Sequence, residues 1–423
     1  MKYLEAERMF DKMEKEFPID TLKYKSLNIY PYIRVYLLFQ FLKSPEFFKK
    51  PDKKSVFKRL LFQFKVLLAS FLGLNFLKNL NYKTGLGRKN IDYLFISEDK
   101  ARNISINNKS IHPFANGIES LLKNYGKYEI VEFVKKTKQK LPIFNDAFIL
   151  NGLLAKAQIK YLFSKFFKRK KQRIESFEKF KEYLKTLELT LPFSEDELID
   201  KLDLIFFRAK EYESLFKKMH LKTVFFIVSF SDIIFPAILA CKKLGIESVE
   251  LQHGSWSLNV RYNNFPDDGY KLLPSIFWLW GKANESVFAN VVKSKNHRTV
   301  VGGNPWVSEW LKDDSEIYDI VERNLTEKVF KEGQINVLVS LQPEPDPLPT
   351  HLLEAVEKSP ENIHWFFRLH PLMLDRKEEV FERVKKIPNS NVVLYYASKL
   401  PLFFILKNTD MHVTMWSSVV YEA

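Results

Sequence analysis

The 423-residue chain is 46% hydrophobic with a net charge of +15, enough apolar content for the cores of two or three domains and too much for a disordered protein. Its single cysteine, Cys241, excludes an intrachain disulfide and a cysteine-based zinc cluster; it reads as a small core residue in a reducing compartment. The basic surface favours an anionic partner: a membrane, a nucleic acid or a phosphorylated substrate.

Residues 1–88 read as a helical region, basic and aromatic. The first residues, Met1 to Arg8, lack a signal peptide's apolar core. Tyr30 to Phe39 predicts a helix with Pro31 in its first turn. Leu60 to Leu80 is apolar, but Gln63, Lys65, Asn75 and Lys78 interrupt it, so it predicts an amphipathic or core helix rather than a membrane span. Two readings stand for the region: a membrane-surface helix pair with basic edges, or a helical cap on the following α/β domain.

From residue 89 to 305 strands and helices alternate. Ile91 to Ser97 and Tyr128 to Phe133 predict strands, followed by a long basic helical region that includes Lys165 to Arg173. From residue 221 the rhythm is regular. It gives a strand over Thr223 to Ser229, a helix over Asp232 to Leu244 stopped by Gly245, and a strand over Glu247 to Leu251. Ser275 to Trp280 predicts a strand, Asn284 to Val292 a helix, and Arg298 to Val301 a strand closed by Gly302 and Gly303. Residues 306–423 repeat the pattern after a polar helical crossing. Strands are expected at Ile335 to Leu341, Ile363 to Leu369, Val392 to Tyr396 and Met411 to Met415. Helices are expected from Thr350, over Asp375 to Lys386 and over Leu400 to Leu406. Ser417 and Ser418 then read as hydroxyl caps of a helix that has barely begun, so the second domain is expected to lack its last helices. This alternation predicts an α/β fold with mostly parallel sheets covered by helices on both faces.

Polar residues at strand ends carry the functional signal, because open α/β sheets bind ligands there. His253 follows the strand ending at Leu251, and neutral imidazole accepts a proton near neutral pH. Gly254 would admit a substrate close to the backbone, and Trp256, Tyr262 and Tyr270 could stack on a sugar or base. Asn304 closes the first domain's last strand. Arg368 and His370 alternate along a strand end and suit a phosphate; Gln342, Ser417, Ser418 and Glu422 are placed to hold phosphate and ribose. Asp267 and Asp268 could supply a carboxylate base, although Asp-Asp-Gly is ordinary turn chemistry. There is no Walker A loop, no GxGxxG, no HExxH and no metal-ligand cluster, so neither metal nor cofactor is expected.

Leu251-Gln252-His253-Gly254, the downstream Leu273-Pro274-Ser275 with Trp280-Gly281, Val301 to Pro305, Arg368 to Pro371, and Ser417-Ser418 with Glu422-Ala423 occur in that order. The set resembles bacterial surface-polysaccharide glycosyltransferases of the GT-B fold. These include capsule-synthesis proteins and 3-deoxy-octulosonate transferases, with a more distant likeness to CDP-glycerol glycerophosphotransferases and bacterial sialyltransferases. The resemblance covers about residues 221–423. It implies two Rossmann-like domains facing a cleft, with 89–305 on the acceptor side and 306–423 on the nucleotide-donor side. It also implies His253 as the acceptor-side base, Arg368 and His370 on donor phosphate, and Ser417, Ser418 and Glu422 on phosphate and ribose. In the sialyltransferases the Asp-Asp-Gly base closes an earlier strand; here Asp267-Asp268-Gly269 follows the Gln-His-Gly.

The expected activity is transfer of a sugar from a nucleotide-sugar donor, CMP-linked acidic sugars included, to a surface polysaccharide or lipid-linked glycan. The expected place is the inner face of the cell membrane, where the basic N-terminal half meets anionic lipid. The alternatives are transfer of glycerophosphate or phosphosugar from a CDP donor and a catalytically inactive scaffold. A nucleic-acid partner is not expected, since no recognised module appears.

Overall fold

The computed structural model of the protein describes residues 2–41, 65, 82–83, 90–102, 104–106, 108–135, 141–167, 172–254, 262, 264–325, 328–388, 391–415 and 417–422. Most of Leu60 to Leu80, Lys168 to Lys171 and Trp256 therefore lie outside the described residues. The chain divides into two compact units. Met1–Asn103 and His112–Asn304 form the first; Ile104–Ile111 and Pro305–Ala423 form the second.

In the first unit the strands are apolar on both sides, so they need cover on both faces, and helices supply it. After helix α1 (Lys2–Glu16), the short hairpin β1 (Lys23–Tyr24) and β2 (Leu27–Asn28), and helix α2 (Tyr30–Phe41), the sheet begins with β3 (Tyr82–Lys83) and β4 (Tyr93–Glu98). The antiparallel hairpin of β5 (Ile104–Ile106) and β6 (Lys109–Ile111) groups with the second unit. Strands β7 (Tyr128–Phe133), β8 (Ala147–Ile149), β9 (Thr223–Phe226), β10 (Glu247–Leu251), β11 (Ile276–Leu279) and β12 (Arg298–Val301) complete an eight-stranded sheet. Its order is β12-β11-β10-β9-β4-β7-β8-β3, and every pairing is parallel. From β4 the chain builds outward through β7 and β8, then returns to lay β9 on the other side of β4. The strand order therefore reverses between β4 and β9, and it is beside such a reversal that open sheets leave a crevice at their carboxyl ends.

Alternate residues divide the core. Phe95, Ile130, Phe225, Val249, Leu251 and Ile276 pack with Ala115 and Ile118 of helix α3 (Pro113–Leu122). Leu94, Ile96, Val131, Val224 and Phe226 pack on the opposite face. That face also takes helix α4 (Asn151–Phe166), helix α6 (Glu195–Met219) and helix α7 (Ile234–Leu244), with helix α5 (Phe177–Thr186) preceding α6 in the chain. A capping box between Ser194 and Glu197 starts α6. Gly245, at φ +68°, ends α7 as expected, and Cys241 is fully buried inside that helix. Helices α1 and α2 join α5 and the start of α6 in one continuous core that reaches Tyr262, Tyr270 and Phe277. The described part of the N-terminal region is thus a cap built into the first unit. A buried ion pair, Arg34 of α2 with Glu14 of α1, ties its two helices together.

The second unit is a smaller copy of the same logic. After helices α8 (Pro305–Leu311) and α9 (Glu316–Arg323) come strands β13 (Ile335–Ser340), β14 (Ile363–Arg368), β15 (Val392–Val393) and β16 (Met411–Thr414). They pair in parallel in the order β15-β14-β13-β16, so the reversal falls between β13 and β16. Helix α10 (Thr350–Glu357) and helix α11 (Lys377–Lys385) contribute Val356, Val380, Phe381 and Val384 to its core. Short helices α12 (Tyr395–Lys399) and α13 (Leu402–Lys407) follow β15.

The α/β class expected from the alternation is what the structure shows. Two local expectations are corrected. Residues 284–292 form two 3-10 segments, Lys282–Phe288 and Val291–Lys293, instead of an α-helix. The strand expected over 392–396 stops at Val393, and Tyr395 opens a helix.

Candidate functional site at the carboxyl ends of the strands

In the first unit the carboxyl ends of β4, β7, β9, β10, β11 and β12 lie along one edge, and the residues after β10 organise it. Gln252 is buried and fully used. Its amide donates to the Gly254 carbonyl and to Asn284, and its oxygen accepts the Trp280 N–H. These bonds tie the loop after β10 to the loop after β11 and fix the backbone on either side of His253. Burial lowers the His253 pKa, with the Leu251 and Ile227 carbonyls pulling the other way, and Nδ1 has no hydrogen-bond partner. Burial thus favours the neutral ring, and among the described residues its unpartnered Nδ1 is enclosed in protein. A Cβ on Gly254 would meet nothing within 4 Å, so the backbone there faces open space. Asn304 follows β12 on the same edge. Two glycines precede it: a Cβ on Gly302 would strike the Trp278 ring, and Gly303 sits at φ +77°.

The structure separates other expected residues from His253. Asp267 and Asp268 are exposed in the turn Pro266–Gly269, closed by the Gly269 N–H on the Pro266 carbonyl. The Asp267 carbonyl accepts from Lys295 N–H and the Asp268 carbonyl from the Asn296 side chain, just ahead of β12. They therefore lie at the amino end of the parallel strands, a strand length of roughly 13 Å from the carboxyl edge. The turn reading holds and the base reading does not. His297 pins that turn: its Nε2 accepts the Tyr270 N–H, which leaves Nδ1–H for the Pro274 carbonyl. Tyr262 is buried under the Arg34 guanidinium, 4.4 Å from its ring centre, and Tyr270 is equally buried, so neither offers a face to a sugar.

Two acidic features at this edge were missed in the sequence. Glu250 is completely buried in β10; one carboxylate oxygen accepts the Ser229 N–H and the other has no partner. Burial pushes its pKa up to about 7. The signal was an acid, Glu250, inside the buried part of an otherwise apolar strand end. At the ends of β4 and β7, Arg102 pairs with Glu132, which also accepts the Tyr82 hydroxyl, and burial raises Asp99 to about 6. Nearby, His112 Nε2 lies 2.7 Å from the Ser97 hydroxyl. Because His112 Nδ1 accepts the Ala115 N–H, Nε2 must carry the proton, so this pair cannot act as a base and nucleophile.

In the second unit Gln342 follows β13, His370 follows β14 and Ser417 follows β16, so the reversal between β13 and β16 is flanked by Gln342 and Ser417. Arg368 ends β14. Its guanidinium donates to the Ala397 and Leu400 carbonyls, 2.7 and 2.8 Å away, and burial lowers its pKa to about 10, with no carboxylate partner among the described residues. Ser417 caps the 3-10 turn Ser418–Tyr421 by accepting the Val419 N–H. Burial raises Glu422 to about 7, and its backbone closes that turn. His412 and Thr414 of β16 bond to the side chain and carbonyl of Ser340 and lock β16 onto β13.

Among the described residues no helix is long and apolar enough to cross a membrane. No protein-family profile matches the chain, and no curated protein matches it. Among solved structures it is similar to the UDP-GlcNAc 2-epimerase of Methanocaldococcus jannaschii, at 12% identity over 79% of this chain and 81% of that one, TM-score 0.40. It is similar to Acinetobacter baumannii MurG, at 11% identity over 77% and 72%, TM-score 0.33. It is also similar to Anabaena Alr3699/HepE in complex with UDP, at 11% identity over 76% and 73%, TM-score 0.37.

Proposed function

We propose that the chain is a metal-independent glycosyltransferase of GT-B type that moves a sugar from a nucleotide-sugar donor to a glycan or lipid-linked acceptor at a membrane surface. The observation that carries this reading is the repeated topology. Two parallel sheets each reverse their strand order, and the polar residues gather at the carboxyl ends beside each reversal. In the second unit Arg368 is a partly buried cation with no carboxylate partner among the described residues, the electrostatic state that an anionic donor completes. Gln342, His370, Ser417, Ser418 and Glu422 are assigned to the nucleotide. In the first unit neutral His253 takes the proton of the acceptor hydroxyl as that oxygen bonds to the anomeric carbon. The bond from carbon to donor phosphate breaks, and the nucleotide leaves with the electron pair.

The test is a thermal-shift screen against CMP, CDP, UDP and GDP, repeated with His370→Ala. A ligand at about 100 times its Kd adds about 2.7 kcal/mol of stability. One nucleotide should raise Tm, and His370→Ala, measured against its own unliganded Tm, should abolish the rise. No shift with any nucleotide would overturn the reading. His253→Ala should keep the nucleotide shift and lose turnover by about 10²–10⁴-fold; full turnover in that variant would remove His253 from the mechanism.

A further inference from the structure

We infer that the carboxyl-terminal tip of helix α4 is a docking surface for an anionic lipid bilayer. Among the described residues, exposed phenylalanines occur only here: Phe163 is 63% and Phe167 78% exposed, and neighbouring Leu162 is 43% exposed. Phe163 and Phe167 are one helical turn apart, so they share a face. Counting back along the same stripe gives Lys160 and Lys156. The stripe therefore runs from cations to aromatic rings, with the rings at the free end. This is the order in which a tip would meet headgroups and then acyl chains.

Charge decides the occupant. Residues 147–174 hold eight Lys and Arg and no Asp or Glu; four of the eight, Lys168 to Lys171, lie outside the described residues, and Arg173 pairs with Glu195 and Asp196. An apolar tip on such a stretch is matched to a surface that is negative outside and apolar within. A protein partner's apolar patch would need no such excess of cation. Lys156 and Lys160 reach Glu211 and Lys165 reaches Asp200, both on α6. These contacts leave the ammonium groups half exposed and hold α4 against the rest of the unit, so the tip is presented on a rigid element. This deepens the membrane-surface part of the proposed function and names the residues responsible; it does not depend on which nucleotide is used.

The experiment is co-sedimentation of the full chain with vesicles of phosphatidylcholine alone or with about a third phosphatidylglycerol. The Phe163→Ser/Phe167→Ser double variant, whose side chains are already exposed, is measured beside it, with far-UV circular dichroism as a check on folding. The wild type should sediment with the anionic vesicles only and be released by about 0.5 M NaCl. The variant should bind at least about tenfold more weakly with an unchanged spectrum. Equal binding by both proteins would overturn the α4 tip while leaving membrane attachment standing. Binding by neither would overturn both. Concentration-dependent self-association in solution that the double variant abolishes would show a second copy covering this face and overturn the lipid assignment.

Discussion

At the carboxyl edge of the first sheet the buried ionisable groups are mostly acids, Glu250 on β10 and Asp99 and Glu132 at β4 and β7, and burial favours the neutral form of His253. At the same edge of the second sheet the charge is the partly buried Arg368 guanidinium, held by two backbone carbonyls, with one protonatable acid, Glu422. Both edges arise from the same strand reversal, so topology places the sites and does not set their chemistry. Under the proposed function, one edge holds and moves protons and the other receives an anion. The arginines of the two edges show the contrast most directly: Arg102 has a carboxylate and Arg368, among the described residues, has none.

Breaking the Arg102 pair should therefore cost most. Glu132→Gln leaves a buried guanidinium without its counter-charge, while the amide oxygen can still accept the Tyr82 hydroxyl's bond. Loss of one partner of such a pair costs about 3–5 kcal/mol, read as a lower urea midpoint. A change under about 1 kcal/mol would mean that water or another acid already compensates Arg102.

Glu250→Gln comes next, and its signature is pH. The folded carboxyl holds its proton up to about 7 against an ordinary value of 4.5. Between those values the unfolded chain releases a proton that the folded chain keeps, so stability falls as pH rises through the window and is level above it. The penalty is about 3 kcal/mol at pH 8, taking about 1.4 kcal/mol per pKa unit. The glutamine variant should lack that decline, so the difference in stability between wild type and variant should change in the variant's favour from pH 5 to pH 8. Glu422 titrates in the same window, but it is present in both proteins and cancels in the difference. A pH-independent difference would show that Glu250 is ionised in the fold.

Strand positions were legible where composition and boundaries agreed. Tyr128–Phe133, Glu247–Leu251 and Arg298–Val301 fall where the apolar and β-branched runs put them. Helix and strand were confused at residues 392–396, a short apolar run whose periodicity does not separate the two. The strand-end residues His253, Gln342, His370 and Ser417 were legible because a strand's end is readable once the strand is. Asp267 and Asp268 were not, since a sequence does not say which edge of a sheet a loop visits; only the pairing of their carbonyls with residues 295 and 296 does. Glu250 was hidden inside the run that identified β10, and its partner Ser229 lies 21 residues away in sequence.

Arg368→Met should cost less than Glu132→Gln. It removes two hydrogen bonds to carbonyls but strands no opposite charge, so the loss is about 1–3 kcal/mol. Its effect on ligand should be larger than its effect on the fold: the stabilisation by the active nucleotide should vanish. If Arg368→Met retains that stabilisation, the second edge is not the anion site and the contrast between the two edges fails.

The smallest effect belongs to Ser417→Ala. The Ser417 hydroxyl accepts the Val419 N–H at 3.3 Å, a long bond closing a four-residue turn. Loss of a capping hydroxyl costs about 0.5–2 kcal/mol in general. A long bond on a short, partly exposed turn belongs at the lower end of that range. The same geometry makes the hydroxyl easy to redirect, because little is given up when it turns from Val419 to a phosphate oxygen. Ser417→Ala should therefore lower Tm by a degree or two at most, on the order of the cap's own worth, while reducing the nucleotide shift without abolishing it. A variant that loses stability but keeps the whole nucleotide shift would confine Ser417 to capping, and Arg368 with His370 would then have to hold the donor without it.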